Sequence, residues 1–304
     1  MTNISRWAQF VFIGTGGLRG GWRFLAFLVS VLLLQACAYK LAGLFIPDQY
    51  LNAFTAPASA VSGVIDIMVV LVVSYTLARL ERRGFDWFGF PLRLAFGVDF
   101  WRGSIVGAAM VSLLLLFALI GTGATIQGLA IHGPAFLGWL FLWIVAMVLL
   151  GISEELLFRG YPLAALTSGL GFWPAAIVLS LIFGGVHYFG KPMETVADGL
   201  NVTALGLFVC FTIQRTGALW FAIGFHAAFD FFALGFFASP NTGNNGLPLD
   251  NHLLDVTYAG PTWLTGGPQG LEASWLTLPL LIAFFVLIHK LYPRAQFSSQ
   301  HTSR

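Results

Sequence analysis

Charge is what this chain has least of. Its 304 residues include 15 Lys or Arg and 13 Asp or Glu, together 9%, where a soluble domain carries ~25%. The formal net charge is +2, and the basic residues sit between apolar runs rather than in a patch, which excludes nucleic acid as a partner. Cysteine is equally scarce. Cys37 and Cys210 each fall inside an apolar run, so the chain holds neither a disulfide framework nor a thiolate zinc cluster. Low hydrophobicity, the mark of disorder, is also missing. What fills the sequence instead is apolar: 58% of the residues belong to the set Ala, Val, Ile, Leu, Met, Phe, Trp, Tyr and Cys, and the mean hydropathy is +0.83. A soluble fold of this length cannot hide so much apolar surface, and the sequence reads as a polytopic membrane protein.

A bilayer core asks for ~20 mostly apolar residues per helix. Eight runs answer that description, near 24–46, 58–79, 104–126, 134–158, 173–190, 198–214, 217–238 and 272–291. The expected fold is therefore all-α, a bundle of about eight transmembrane helices in a single integral-membrane domain, 1–304. Basic residues set the orientation. Arg6, Arg19 and Arg23 precede the first run, and Arg79, Arg82, Arg83, Arg93 and Arg102 lie between the second and third. Arg159 follows the fourth, Arg215 divides the sixth from the seventh, and Lys290, Arg294 and Arg304 close the chain. Connections 47–57, 127–133 and 239–271 contain no Lys or Arg, and 190–197 contains only Lys191. This asymmetry places both termini in the cytoplasm and 239–271 outside the cell membrane, as a cap or as a mobile loop.

The string Leu34-Gln35-Ala36-Cys37 is a poor match to a lipoprotein cleavage box, and a long polar lead precedes it, so the first run reads as an uncleaved span. That lead, with Trp7, Phe10, Phe12, Arg6 and Arg19, reads as lying along the membrane surface. No internal repeat or interdomain linker is visible.

Ionisable residues inside a bilayer cost at least ~2.5–3.5 kcal/mol each and mark functional sites by default. Setting aside the charges at the ends of the other runs, eight stand out in or just after a run: Lys40, Asp66, Glu154, Glu155, Arg159, His187, His226 and Asp230. The plainest reading of Lys40 and Asp66 is an ion pair that ties the first two helices, with Lys40 reaching outward. The other six form a different pattern. Glu155 and Arg159 are four apart, the favourable acid-before-base spacing on a helix. Glu154, turned about 100° from Glu155, is left without a local partner.

Depth brings these residues together. If the fourth helix continues past Arg159 and turns at Gly169-Leu170-Gly171, the midpoint between Glu154 and His187 falls in that turn. Both then sit about 16 residues, or roughly 24 Å, from it at the 1.5 Å helical rise. Pro162 should kink this helix or begin a short break. His226 stands 11 residues after Arg215, roughly 16 Å inward from the cytoplasmic side by the same rise. Asp230 shares its face one turn on. The expected layer is thus reached from the cytoplasm. Gly184, Gly185 and Gly224 beside the histidines read as close-packing positions, and Phe183 and Phe229 as packing or lining residues.

Three strings carry a resemblance: Glu154-Glu155-x-x-x-Arg159, Phe183-x-x-x-His187 and His226-x-x-x-Asp230. In this order, on the fourth, fifth and seventh runs, they resemble the motifs of the CPBP (Abi) family, the type II CAAX prenyl endopeptidases and bacteriocin-processing enzymes. The likeness covers roughly 148–235, the expected catalytic core. It implies an intramembrane endopeptidase in which Glu154 is the general base and His187 holds and polarises the water. His226 and Asp230 would bind the carbonyl oxygen as it becomes an oxyanion, while Glu155 and Arg159 support Glu154. Donors fixed in a dry site stabilise developing negative charge more than they could in water, so the roles are physically consistent. Asp230 would serve either as a neutral acid that donates a hydrogen bond, the favoured arrangement, or as a carboxylate turned away that holds His226 as the cation facing the substrate.

The expected partners are the bilayer and a peptide or protein substrate, lipidated or not, cleaved near its C-terminus or its membrane-proximal part. No cofactor is expected. A rival enzyme reading places zinc among Glu154, His187, His226 and Asp230, whose types suit that metal, although the compact His-Glu-x-x-His helix is missing. Two non-enzymatic readings remain: a proton- or ion-coupled transporter, which paired broken helices in inverted repeats would favour, and a membrane scaffold.

Overall fold

Away from water, a backbone that must satisfy its own polar groups within one segment becomes an α-helix. The computed structural model, which describes residues 13–14 and 17–297, follows that rule along every apolar run. Helix α1 spans Gly20–Ala42, α2 Ala56–Leu80, α3 Val98–Gly121 and α4 Pro134–Arg159. Then come α5 (Tyr161–Leu170), α6 (Phe172–Gly190), α7 (Val196–Thr216), α8 (Trp220–Asp230) and α9 (Thr277–Leu291). The helix of α8 continues as a π-helical stretch, Phe231–Phe236. The protein is an all-α, multi-pass membrane bundle. Six segments are long and apolar enough to cross a membrane: α1, α2, α3, α4 taken with α5, α6 and α7. Trp220–Phe236 and α9 are apolar but shorter. The eight expected runs overlap these segments, with ends displaced by several residues: the third helix is Val98–Gly121 rather than 104–126, and the last begins at Thr277 rather than near 272. The polar lead that contains Trp7, Phe10 and Phe12 lies outside the described residues.

Hydrogen bonds across the connections define the two ends of the bundle. At one end Arg23 and Tyr161 Oη donate to Glu81, Leu219 N donates to Gly89 O, and Gln296 N donates to Gln214 O. This end carries the arginines. At the other end Thr242 Oγ1 donates to Glu194 Oε1, and Gln269 Nε2 donates to Met193 O at 2.8 Å. There, strand β1 (Thr125–Leu129) pairs antiparallel with β2 (Leu254–Thr257). The segment 237–276 is accordingly an ordered cap, with Leu253, Leu271 and Ser274 fully buried in it.

Close backbone approach sets the interior. A Cβ on Gly103 or Gly107 of α3 would lie 2.0 or 2.2 Å from the carbonyl oxygens of Phe221 and Phe225 on α8, and one on Gly224 would lie 2.0 Å from Phe100 O. Small residues on both helices thus let α3 and α8 meet backbone to backbone. Gly151 does the same for α4, where a Cβ would lie 3.2 Å from Ala227 N. Glutamates one turn beyond Gly151 are thereby set beside His226. Gly184 packs against Thr203 and Gly199 as expected, but Gly185 faces open space.

The expected Lys40–Asp66 pair does not form. Asp66 accepts from Gln35 Nε2 at 2.7 Å and from Tyr39 Oη at 3.1 Å, while Lys40 is exposed. Residues 35 and 39 share a helical face toward α2, and residue 40 is turned about 100° from 39.

Candidate active site

The fourth apolar run does break where Pro162 predicts it. Helix α4 ends at Arg159, Gly160 departs from helical geometry with φ −72 and ψ −116, and Pro162 sits in the first turn of α5. A proline lacks the N–H that a helix interior needs but fits a first turn. Gly171, at φ +80, then reverses the chain into α6. That backbone conformation favours glycine. The antiparallel arrangement inferred from the sequence is therefore present, with α5 forming its turn-side leg.

The six expected site residues, Glu154, Glu155, Arg159, His187, His226 and Asp230, all line one cavity of about 150 Å³. Phe183 and Phe229 line it as well. At its floor Arg159 and Glu155 are fully buried, with Arg159 Nη1 donating to Glu155 Oε1 at 3.3 Å. The guanidinium carbon lies 4.1 Å from the centroid of Phe183, a cation–π contact. It also needs Gly206, where a Cβ would stand 2.7 Å from Nη2.

His226 joins both glutamates. Its Nδ1 lies 2.7 Å from Glu155 Oε1. Because that carboxylate already accepts from Arg159, Nδ1 must carry the proton and donate. Its Nε2 then faces the other two carboxyls, 3.3 Å from Asp230 Oδ2 and 3.7 Å from Glu154 Oε2. His187 is held differently. Its Nδ1 lies 2.9 Å from the carbonyl oxygen of Phe183, which can only accept, so Nδ1 is the donor. In the neutral ring Nε2 is then an acceptor. Its ring packs on Phe183, with centroids 4.4 Å apart.

Several buried polar atoms of these side chains have no hydrogen-bond partner among the described residues: Glu154 Oε2, Glu155 Oε2, and Arg159 Nε and Nη2. Natural interiors rarely leave such atoms unpaired except where function demands it. A resident metal was tested against the same geometry. Among the described residues, no group of three or more His, Cys, Asp or Glu side chains is arranged to hold one. With His226 Nδ1 bonded to Glu155 and His187 Nδ1 to a backbone carbonyl, each ring has only its Nε2 left for a further partner.

The lining of the cavity extends to the end of the bundle opposite the arginines. Toward the arginine-bearing end the cavity is closed beneath by Leu156, Tyr161, Cys210 and Ile213, each at most 1% exposed. Its rim is formed at the other end by Phe54, Lys191, Pro240, Asn241, Gln269 and Glu272. None of these rim residues was singled out in the sequence, although Lys191 carried a signal as the lone cation among the connections of that end. Burial pushes the Glu272 carboxyl up to about 7; Asp230, Glu194 and Asp198 add to the effect and Lys191 opposes it.

Comparison with known proteins agrees with the motifs. Residues 136–232 match the family described as type II CAAX prenyl endopeptidase Rce1-like, so the resemblance read from the three strings holds over the stretch that contains all of them. Among curated proteins the chain is similar to the uncharacterized protein YyaK of Bacillus subtilis (strain 168), 29% identical over 133 residues. That alignment takes in 40% of this chain and 43% of YyaK, so the match spans less than half the length of either. No solved structure matches.

Proposed function

We propose that this protein is an intramembrane endopeptidase that uses a glutamate-activated water. The observation that carries the reading is the convergence of Glu154, His187, His226 and Asp230 on one cavity, within a stretch that matches a family of endopeptidases. Water bound between Glu154 and His187 Nε2 gives one proton to the Glu154 carboxylate while its other hydrogen is held by the imidazole. The hydroxide adds to the scissile carbonyl. Its oxygen becomes an oxyanion that accepts from the His226–Asp230 pair. One proton shared across the 3.3 Å contact supplies that donor, whichever of the two atoms holds it. Glu154 then passes its proton to the departing amine, and the peptide bond breaks.

Arg159 and His226 keep the second glutamate, Glu155, out of the chemistry: its charge is matched by the guanidinium and its oxygen is occupied by His226 Nδ1. The proposed substrate is a peptide segment close to the bilayer surface, near the C-terminus or the membrane-proximal part of its protein.

Purified protein in detergent, incubated with a mixed peptide library and read by mass spectrometry, tests the proposal. Wild type should release defined fragments and Glu154→Gln should not. Exhaustive dialysis against a strong chelator should leave the rate unchanged. No fragments from wild type would overturn the peptidase reading, and loss of activity restored by zinc would replace the water-activating glutamate with a metal.

A further inference from the structure

The rim of the cavity and the distribution of charge on the chain point to opposite faces of the membrane. Every rim residue comes from a connection at one end of the bundle: Phe54 before α2, Lys191 after α6, and Pro240, Asn241, Gln269 and Glu272 from the cap. The connections at that end are 43–55, 122–133, 191–195 and 237–276, and Lys191 is their only Lys or Arg. Their acidic residues are Asp48, Glu194, Asp250, Asp255 and Glu272. Arg82, Arg83, Arg93, Arg215 and Arg294 lie at the other end, beyond the closed floor. Lys and Arg in short connections mark the cytoplasmic side.

We infer that the cavity takes its substrate from the extracytoplasmic side: a peptide segment of an exported or membrane-anchored protein lying on the outer surface, not a tail presented by the cytoplasm. The inference rests on the peptidase reading for the word substrate, and on geometry alone for the side. The cap supports it. Thr242 and Gln269 bind the cap to the α6–α7 connection at Glu194 and Met193, and Asn201 Nδ2 on α7 donates to Glu272 O at 3.2 Å. These ties fix the cap residues that line the cavity against the end of α6. On the opposite side Tyr161 is bonded to Glu81 and Trp220 Nε1 to Pro91 O at 2.9 Å, and among the described residues the cavity has no lining residue from the connections of that end. A peptide that reaches Glu154 along this path passes Lys191 and Glu272 first.

Two measurements test the side and the chemistry separately. In a background with Cys37→Ala and Cys210→Ala, Gln269→Cys should react in intact cells with a charged, membrane-impermeant maleimide, and Ala295→Cys should react only after permeabilisation. The reverse pattern would overturn the inference whatever the protein catalyses. Sealed proteoliposomes are then sorted by which of the two cysteines is exposed, and bilayer-impermeant peptides from the library are added outside. Vesicles with position 269 outward should cleave at the rate seen in detergent after correction for orientation, and those with position 295 outward should fall to background. Cleavage confined to the second population would overturn the inference. Absence of cleavage in detergent as well would overturn the peptidase reading while the labelling still decided the side.

Discussion

His226 Nδ1 and Glu155 Oε1 stand 2.7 Å apart, and this contact separates the roles of two adjacent glutamates. Glu155 is bonded on one side by the histidine and on the other by Arg159, both inside the protein. Glu154, one residue earlier, keeps a buried oxygen with no hydrogen-bond partner among the described residues. The rotation of about 100° between adjacent helical positions thus gives two identical side chains different surroundings, and we propose Glu155 as the structural anion and Glu154 as the base.

That division predicts opposite outcomes for two similar substitutions. Glu154→Gln keeps the shape but cannot accept water's proton, so turnover should fall by about 10²–10⁴, the usual worth of a general base, with an unchanged melting temperature. Glu155→Gln leaves Arg159 buried without its counter-charge, a loss of about 3–5 kcal/mol for a broken buried pair. Thermal unfolding and cleavage rate, measured on both variants, distinguish them. A Glu154→Gln enzyme as active as wild type would remove Glu154 as the base.

Gly206 makes a prediction about space. Its missing Cβ accommodates Arg159 Nη2, 2.7 Å from where that atom would stand, and the guanidinium is pinned between Glu155 and Phe183. Gly206→Ala should cost about 1–3 kcal/mol of stability, as overpacking does. It should also lower cleavage by displacing the ion pair that holds His226. The companion variant Gly185→Ala, at a position facing open space, should leave both unchanged. Equal behaviour of the two variants would show that Arg159 is not held as described.

Much of this site is legible in the sequence because its cost is legible. Charges in apolar runs are few, and helical rise converts their spacing into depth, which is enough to bring Glu154, His187, His226 and Asp230 to one layer. Pro162 likewise announces the break after Arg159. The rim is not legible. Gln269 and Glu272 lie in a cap without periodicity, whose path is set by contacts with residues as distant as Trp143, bonded to Asn251 O. Asp66 misled for a related reason: charge complementarity named Lys40 as its partner, whereas Gln35 and Tyr39 face it.

The oxyanion donor we propose is the contact between His226 Nε2 and Asp230 Oδ2, 3.3 Å long. Asp230→Asn retains a group that can donate to an oxyanion and should keep a measurable fraction of the rate. Asp230→Ala removes the donor and leaves His226 Nε2 beside Glu154 alone, and its rate should fall by about 10²–10³, as for loss of one oxyanion donor. Full activity in Asp230→Ala would remove this residue from the mechanism.

Glu272 gives the cavity rim a pH signature. Its carboxyl titrates near 7 in the folded protein against an ordinary value of 4.5, chiefly through burial. Below the ordinary value the folded and unfolded chains both hold the proton. Between 4.5 and about 7 the folded chain holds a proton that the unfolded chain has released, so stability falls as pH rises, by at most ~1.4 kcal/mol per pH unit. Above that range both are ionised and the dependence ends. Thermal unfolding in detergent between about pH 5 and pH 8 should therefore show a declining melting temperature for wild type. Glu272→Gln, which does not titrate, should flatten that decline and melt higher than wild type at the alkaline end. The same variant also tests the entrance: a peptide passing the rim meets a carboxylate at pH 8 and a neutral acid at pH 5, so the Glu272→Gln enzyme should lose the part of the KM change that wild type shows between those limits. A melting profile parallel to wild type would mean that the Glu272 carboxyl is not enclosed at the rim.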